Sequence, residues 1–282
     1  MRRRQTLIVT RLTFREAARR RILVAALALG IVFLITYGLG IHLIREDMER
    51  QGQHLQRVVS LPVYSFLATS GLYVVNFLTL TLTVLTSVDT IAGEIDSGTV
   101  HVLAAKPVRR RQILLGKWLG FVGMVTLYLI IMAGGVVVLA RLLLDYVVPH
   151  PWRGLALLWL SQIVILNITL VGGTRLSTLA NGVLAFAAYG VAFIGGWIEQ
   201  IGAFLGNGTT VAIGIISSLL MPSEALWRRA CFEMQSALTG AVAVTPMVVT
   251  VSVPSLAMVV YAVIYAVVAL GLAVYSFDQR DL

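Results

Sequence analysis

Charged side chains are scarce in this sequence. Asp, Glu, Lys and Arg make up 12% of its 282 residues, against about a quarter in a soluble domain. Because 58% of the residues are hydrophobic and fall in long uncharged runs, the chain reads as a polytopic membrane protein. No polar block is long enough for a soluble domain. Cys231 is the single cysteine, which excludes an intrachain disulfide framework. A Walker A loop, a Gly-rich strand-to-helix turn and a kinase-like Lys/Asp set are all missing, so the chain should not hydrolyse ATP by itself. His42, His54, His101 and His150 include no pair at helical ligand spacing, and no metal site is expected. The eight methionines are dispersed. There is no HExxH and no pair of in-span aspartates, which argues against an intramembrane protease. The assigned spans contain only His42, near the outer end of the first, with Lys117 and Arg141 at span edges, and that argues against a proton-coupled carrier.

Six apolar segments are long enough to cross a bilayer, for which about 20 residues suffice. They are Ile22–Ile44, Val63–Val88, Trp118–Ala140, Gly154–Thr174, Leu176–Ile198 and Ser255–Phe277. Polar uncharged residues punctuate them, among them Asn76, Thr79, Thr83, Gln162, Asn167 and Asn181. Hydrogen bonding between helices is the preferred reading for these, ahead of a lined translocation path. The glycine pairs 134–135, 172–173 and 195–196 are read as places where helices approach closely. Met1–Arg21 carries eight arginines and one acid. With a capping-box pattern at Thr13–Glu16, it is expected to form an interfacial helix on the headgroups. A cleavable signal is disfavoured, because the apolar run that follows is too long.

The stretch from Asp89 to Gly120, DTIAGEIDSGTVHVLAAKPVRRRQILLGKWLG, holds most of the interpretable chemistry. Ile91, Ile95, Gly98 and Val102 recur at helical spacing, so the periodicity predicts an amphipathic helix over Asp89–Ala104. Asp89, Glu94 and Asp96 lie in its first half, where a helix N-terminus favours anions. Lys106-Pro107 ends it, and Arg109, Arg110 and Arg111 fasten the exit to headgroups. Lys117 and Trp118 are expected as anchors at the span edge.

Glu94-Ile95-Asp96-Ser97-Gly98-Thr99, then Lys106-Pro107-Val108-Arg109-Arg110, then Leu115-Gly116-Lys117-Trp118-Leu119-Gly120 resembles the loop after the second span of ABC-2-type transporter permeases. The likeness is greatest to the branch that includes the nitrous-oxide-reductase maturation permeases. It implies an all-α fold of about six spans with a cytoplasmic amphipathic coupling helix and a re-entrant or interfacial region before the last span. The whole chain is then one transmembrane domain: residues 1–21 an interfacial helix, 89–112 a cytoplasmic coupling loop, 199–254 extracytoplasmic or re-entrant. The resemblance further implies a separate ATPase subunit that holds ATP-Mg, and a homodimer or heterodimer of permease subunits. No cofactor is expected on this chain, and no nucleic acid as partner. Asp89, Glu94, Gly98, Thr99, Lys106, Pro107, Arg109 and Arg110 become the candidate ATPase-coupling residues by the same resemblance. A scaffold or maturation factor without transport is the alternative.

Two matters stay open. Ile201–Met221 and Met234–Val253 are both uncharged, separated by a charged break at Glu224, Arg228, Arg229 and Glu233; six spans are preferred to eight. With six spans, the side holding the N-terminus, the Asp89–Gly120 stretch, Arg175 and the C-terminus carries 15 of the 22 basic residues. The other side carries Arg45, Arg50, Arg57, Arg141, Arg153, Arg228 and Arg229. The positive-inside tendency then predicts cytoplasmic termini, and with the resemblance above the expected location is a prokaryotic plasma membrane. Substrate is not legible.

Overall fold

A computed structural model describes residues 9–14, 21–50, 57–96, 110–236 and 250–279. Its ordered elements are helices α1 (Arg21–Arg50), α2 (Arg57–Asp96), α3 (Arg110–Leu144), α4 (Pro151–Gly173), α5 (Thr178–Phe204), α6 (Gly208–Leu220), α7 (Ser223–Met234) and α8 (Leu256–Asp278). Residues 9–14 are also helical. Six of these helices, α1 to α5 and α8, are long and apolar enough to cross a membrane. An α-helix satisfies its own backbone polar groups, which hydrocarbon cannot do for it. The chain therefore has the expected all-α polytopic architecture.

Starts and stops follow local chemistry. Pro151 occupies the first turn of α4, where no amide donor is needed. The hydroxyl of Ser177 accepts from the Ala180 amide at 3.4 Å and starts α5. Asn207 does the same for α6 from Thr210 at 3.2 Å, and Ser255 for α8 from Met258 at 3.4 Å. Each side-chain oxygen satisfies one of the free amides at a helix start.

Helices α2 and α4 form the middle of the bundle. Buried residues make up 67% of the most apolar stretch of α2 and 61% of that of α4, but only 6% of that of α1. So α1 lies at the periphery, and its apolar side chains face outward. In α2 the hydroxyls of Thr79, Thr83 and Thr86 bond back to the carbonyls of Val75, Thr79 and Leu82 at 2.7, 2.7 and 2.6 Å. This gives each donor a local acceptor inside an apolar core.

Three features differ from the sequence reading. The second span does not hand over to a new helix at Asp89: α2 runs unbroken from Arg57 to Asp96. A continuous apolar-rich run gives an α-helix no reason to stop at one acidic residue, so the first half of the expected amphipathic helix extends the span. The second half, from Ser97 onward to residue 109, lies outside the described residues, as does most of the expected N-terminal interfacial helix. At the far end, α5 does not stop at Glu199 but continues to Phe204. The charged break at Glu224–Glu233 is itself a helix, α7, set at 110° to α6. The bent α6–α7 pair, whether counted as a broken span or as a re-entrant loop, lies in the region expected to be re-entrant.

Candidate functional site

Two groups of residues stand out, at opposite ends of the long helix α2. The first surrounds the start of the Asp89–Gly120 stretch. Asp89 is half-buried at the end of the second span, and the Thr178 hydroxyl donates to its Oδ1 at 3.5 Å. Glu94 belongs to α2, and Arg110 opens α3, but the side chains of both lie outside the described residues. Gly98, Thr99, Lys106, Pro107 and Arg109 lie outside them altogether. Beyond these, Arg111 pairs with Asp278 of α8 at 2.8 Å.

Lys117 and Trp118, the expected span-edge anchors, both make contacts within the bundle. Lys117 is only 7% exposed. The Trp118 indole Nε1 donates to Asn167 Oδ1 at 2.7 Å, and Asn167 Nδ2 donates on to the Ala266 carbonyl at 2.8 Å. Through this chain of bonds, α3, α4 and α8 are tied together. Ser87 and Thr169 share a hydrogen bond of 2.7 Å between α2 and α4. Asn181 Nδ2 donates to the Thr169 carbonyl at 2.8 Å and brings in α5. Gly172 makes that contact feasible, because a Cβ there would collide with Asn181 Oδ1. Near the middle, Gln162 Nε2 donates to Asn76 Oδ1 at 3.0 Å while its Oε1 accepts from Thr83 at 3.3 Å. The in-span amides thus serve as interhelical fasteners, which is the reading preferred from sequence.

The second group lies at the other end and was not anticipated. Glu199, Glu224 and Arg228 are 3%, 4% and 5% exposed. Arg228 Nη2 donates to Glu199 Oε2 at 2.8 Å and to Ser218 Oγ at 3.1 Å, so α7 is bound to α5 and α6 at once. The other oxygen of Glu199 accepts from the Ser252 hydroxyl at 2.5 Å. Gln200 fixes the same segment, accepting from the Val251 and Ser252 amides at 2.8 and 3.2 Å and donating to the Ser252 carbonyl at 2.9 Å. Next along α7, Arg229 bonds Glu233 at 2.8 Å and the Pro254 carbonyl at 3.1 Å. Glycines let α5 and α6 meet: a Cβ on Gly214 would stand 2.7 Å from the Gly195 carbonyl and 2.8 Å from Glu199 Cα. Taking charges out of water is costly unless each is paired and hydrogen-bonded. Glu199 meets that condition fully.

Beside this cluster is a cavity of about 420 Å³. Tyr73 and Phe66 of α2, Trp197 of α5 and Trp227 of α7 form its aromatic walls, and Glu224 and Arg228 line it too. Sequence reasoning missed the site because it equated charge with a solvent-facing break. The available signal was the four-residue spacing of Glu224 and Arg228 on a segment whose neighbours, Ala225, Leu226, Ala230 and Cys231, are small or apolar.

An all-helical bundle of six apolar spans, fastened inside by neutral amides and closed on one side by a bent helix pair, defines a multi-pass membrane domain. Residues 7–282 match the family model described as ABC-2 family transporter protein, and the chain belongs to that family. No curated protein matches the sequence. Family membership makes the chain the membrane subunit of an ABC transporter, a class that carries no ATPase motif of its own and works with a partner ATPase.

Proposed function

We propose that this chain is the permease subunit of an ATP-driven exporter, and that the Asp89–Gly120 stretch receives the movement of a separate ATPase subunit. The observation that carries the reading is continuity. Helix α2 extends past its apolar span to Asp96, and α3 begins at Arg110. The intervening residues, Gly98, Thr99, Lys106, Pro107 and Arg109 among them, are thereby joined covalently to two span helices. A push on this stretch is passed to α2 and α3 without a flexible joint at Asp89. Glu94 and the apolar stripe around it enter a cleft on the ATPase, Asp89 holds the base of the stretch through Thr178, and Arg109 and Arg110 stay at the headgroups.

Two permease copies work with two ATPases that bind ATP-Mg. The basic side of the chain, with both termini, faces the cytoplasm of a prokaryotic cell. The resemblance in this stretch supports a place near the nitrous-oxide-reductase maturation permeases.

Purification from native membranes through a tag on this chain, followed by an ATPase assay, tests the reading. A stoichiometric ATP-binding subunit is expected. Its hydrolysis should lose coupling to transport when Glu94→Arg is introduced, with the permease still present in the membrane. Full transport in that variant removes the coupling role of Glu94. A homo-oligomer without any ATPase, under conditions that keep weak complexes, replaces the transporter with a membrane scaffold.

A further inference from the structure

We infer that the cavity between α2, α5 and α7 binds an amphiphilic organic ammonium compound with a hydrogen-bond-accepting oxygen close to its nitrogen. Its volume of about 420 Å³ falls within the range of small-molecule sites, roughly 300–1,000 Å³. The atoms left without partners specify the chemistry. Glu224 Oε2 and Arg228 Nε and Nη1 are buried and have no hydrogen-bond partner within the structure, and both residues line the cavity. Buried polar atoms of native proteins are nearly always satisfied, so such a set calls for a ligand or water. It offers one acceptor and two donors.

The engagement of Glu199 narrows the choice. Glu199 is fully engaged by Arg228 and Ser252, which leaves Glu224 Oε2 as the open acceptor. A cationic nitrogen at Oε2 supplies the missing donor, and its charge favours the ionised form of the buried carboxyl. The aromatic walls suit the same group, because Trp and Tyr faces attract ammonium ions. Tyr73 and Trp227 meet edge to face with ring centroids 5.5 Å apart and keep that wall rigid. A bare metal ion is disfavoured by the guanidinium beside it. The free N–H groups of Arg228 call instead for an acceptor oxygen near the ligand nitrogen. Gly196 leaves the room: a Cβ there would lie 2.8 Å from Glu224 Cγ and 3.6 Å from Arg228 Nε.

This chemistry has two sources, the phosphoethanolamine headgroup of a lipid and a free amphiphilic amino alcohol. The test uses the purified chain in phosphatidylglycerol nanodiscs, without nucleotide or partner, so its failure leaves the ATPase-coupling reading intact. Tritiated propranolol, an aromatic amino alcohol, serves as probe. Saturable binding is expected. Affinity should fall about tenfold in Glu224→Gln, or about 1.4 kcal/mol. It should also fall, by about threefold or more, in Trp197→Leu, through loss of the aromatic face. Only variants that remain monodisperse are compared, and Trp197→Leu carries the test if Glu224→Gln does not fold. Displacement by added phosphatidylethanolamine assigns the site to the lipid headgroup; undiminished binding assigns it to the free amine. Equal affinity in wild type and folded variants overturns the inference. So does a lack of saturable binding together with no enrichment of phosphatidylethanolamine on wild type over Trp197→Leu.

Discussion

At one end of the bundle Glu199 and Arg228 meet as buried ions between α5 and α7. At the other, Ser87, Asn167, Thr169 and Asn181 join α2, α4, α5 and α8 through neutral groups. These two kinds of fastening respond to damage differently. A neutral hydrogen bond inside a membrane contributes about 0.6–2 kcal/mol, since a displaced group finds other partners. Removal of one member of a buried ion pair leaves an uncompensated charge and costs about 3–5 kcal/mol. The neutral bonds tolerate adjustment, whereas the Glu199–Arg228 pair fixes the bent helix pair in one arrangement.

The largest effect is expected for Glu199→Leu, which strands Arg228: about 3–5 kcal/mol of stability, read as a fall in Tm of the detergent-solubilised protein. A double replacement with Arg228→Met should recover most of it, and no recovery would show that the pair is not the source. Gly214→Ala comes next, at about 1–3 kcal/mol by overpacking, because the obstacles are the backbone atoms of Gly195 and Glu199. Gly134→Ala is its control and should be tolerated, since a Cβ there meets no atom within 4 Å. Trp118→Phe breaks the bond to Asn167 and should cost about 0.6–2 kcal/mol. Arg111→Ala, losing a pair in which the arginine is 64% exposed, should cost no more than about 1 kcal/mol. If thermal unfolding ranks Arg111→Ala above Glu199→Leu, the contrast between the ends collapses.

The sequence carried much of the fold because spans are read over windows of about 20 residues, and an uncharged run such as Ser255–Phe277 has few other outcomes. The role of Asn76, Gln162 and Asn167 was also accessible, since an amide among apolar neighbours has to find a partner. Glu199 and Arg228 were out of reach for a different reason. They stand 29 positions apart, and a charge at the edge of an apolar run reads as the place where the chain enters water. Their neutralisation depends on a 110° bend that no local pattern announces. Lys117, a basic residue expected at a span edge, is likewise buried by the folded chain.

Helix α2 contains 40 residues, so it is about 60 Å long, roughly twice the hydrocarbon thickness of about 30 Å. Phe66 and Tyr73 in its first half wall the aromatic cavity, and Asp96 closes the far end. No proline interrupts the helix between Phe66 and Asp96. It is a single strut whose tilt is shared by both faces of the membrane. Reshaping the cavity wall on one face must swing the opposite tip or bend the rod, so the two faces are geared together.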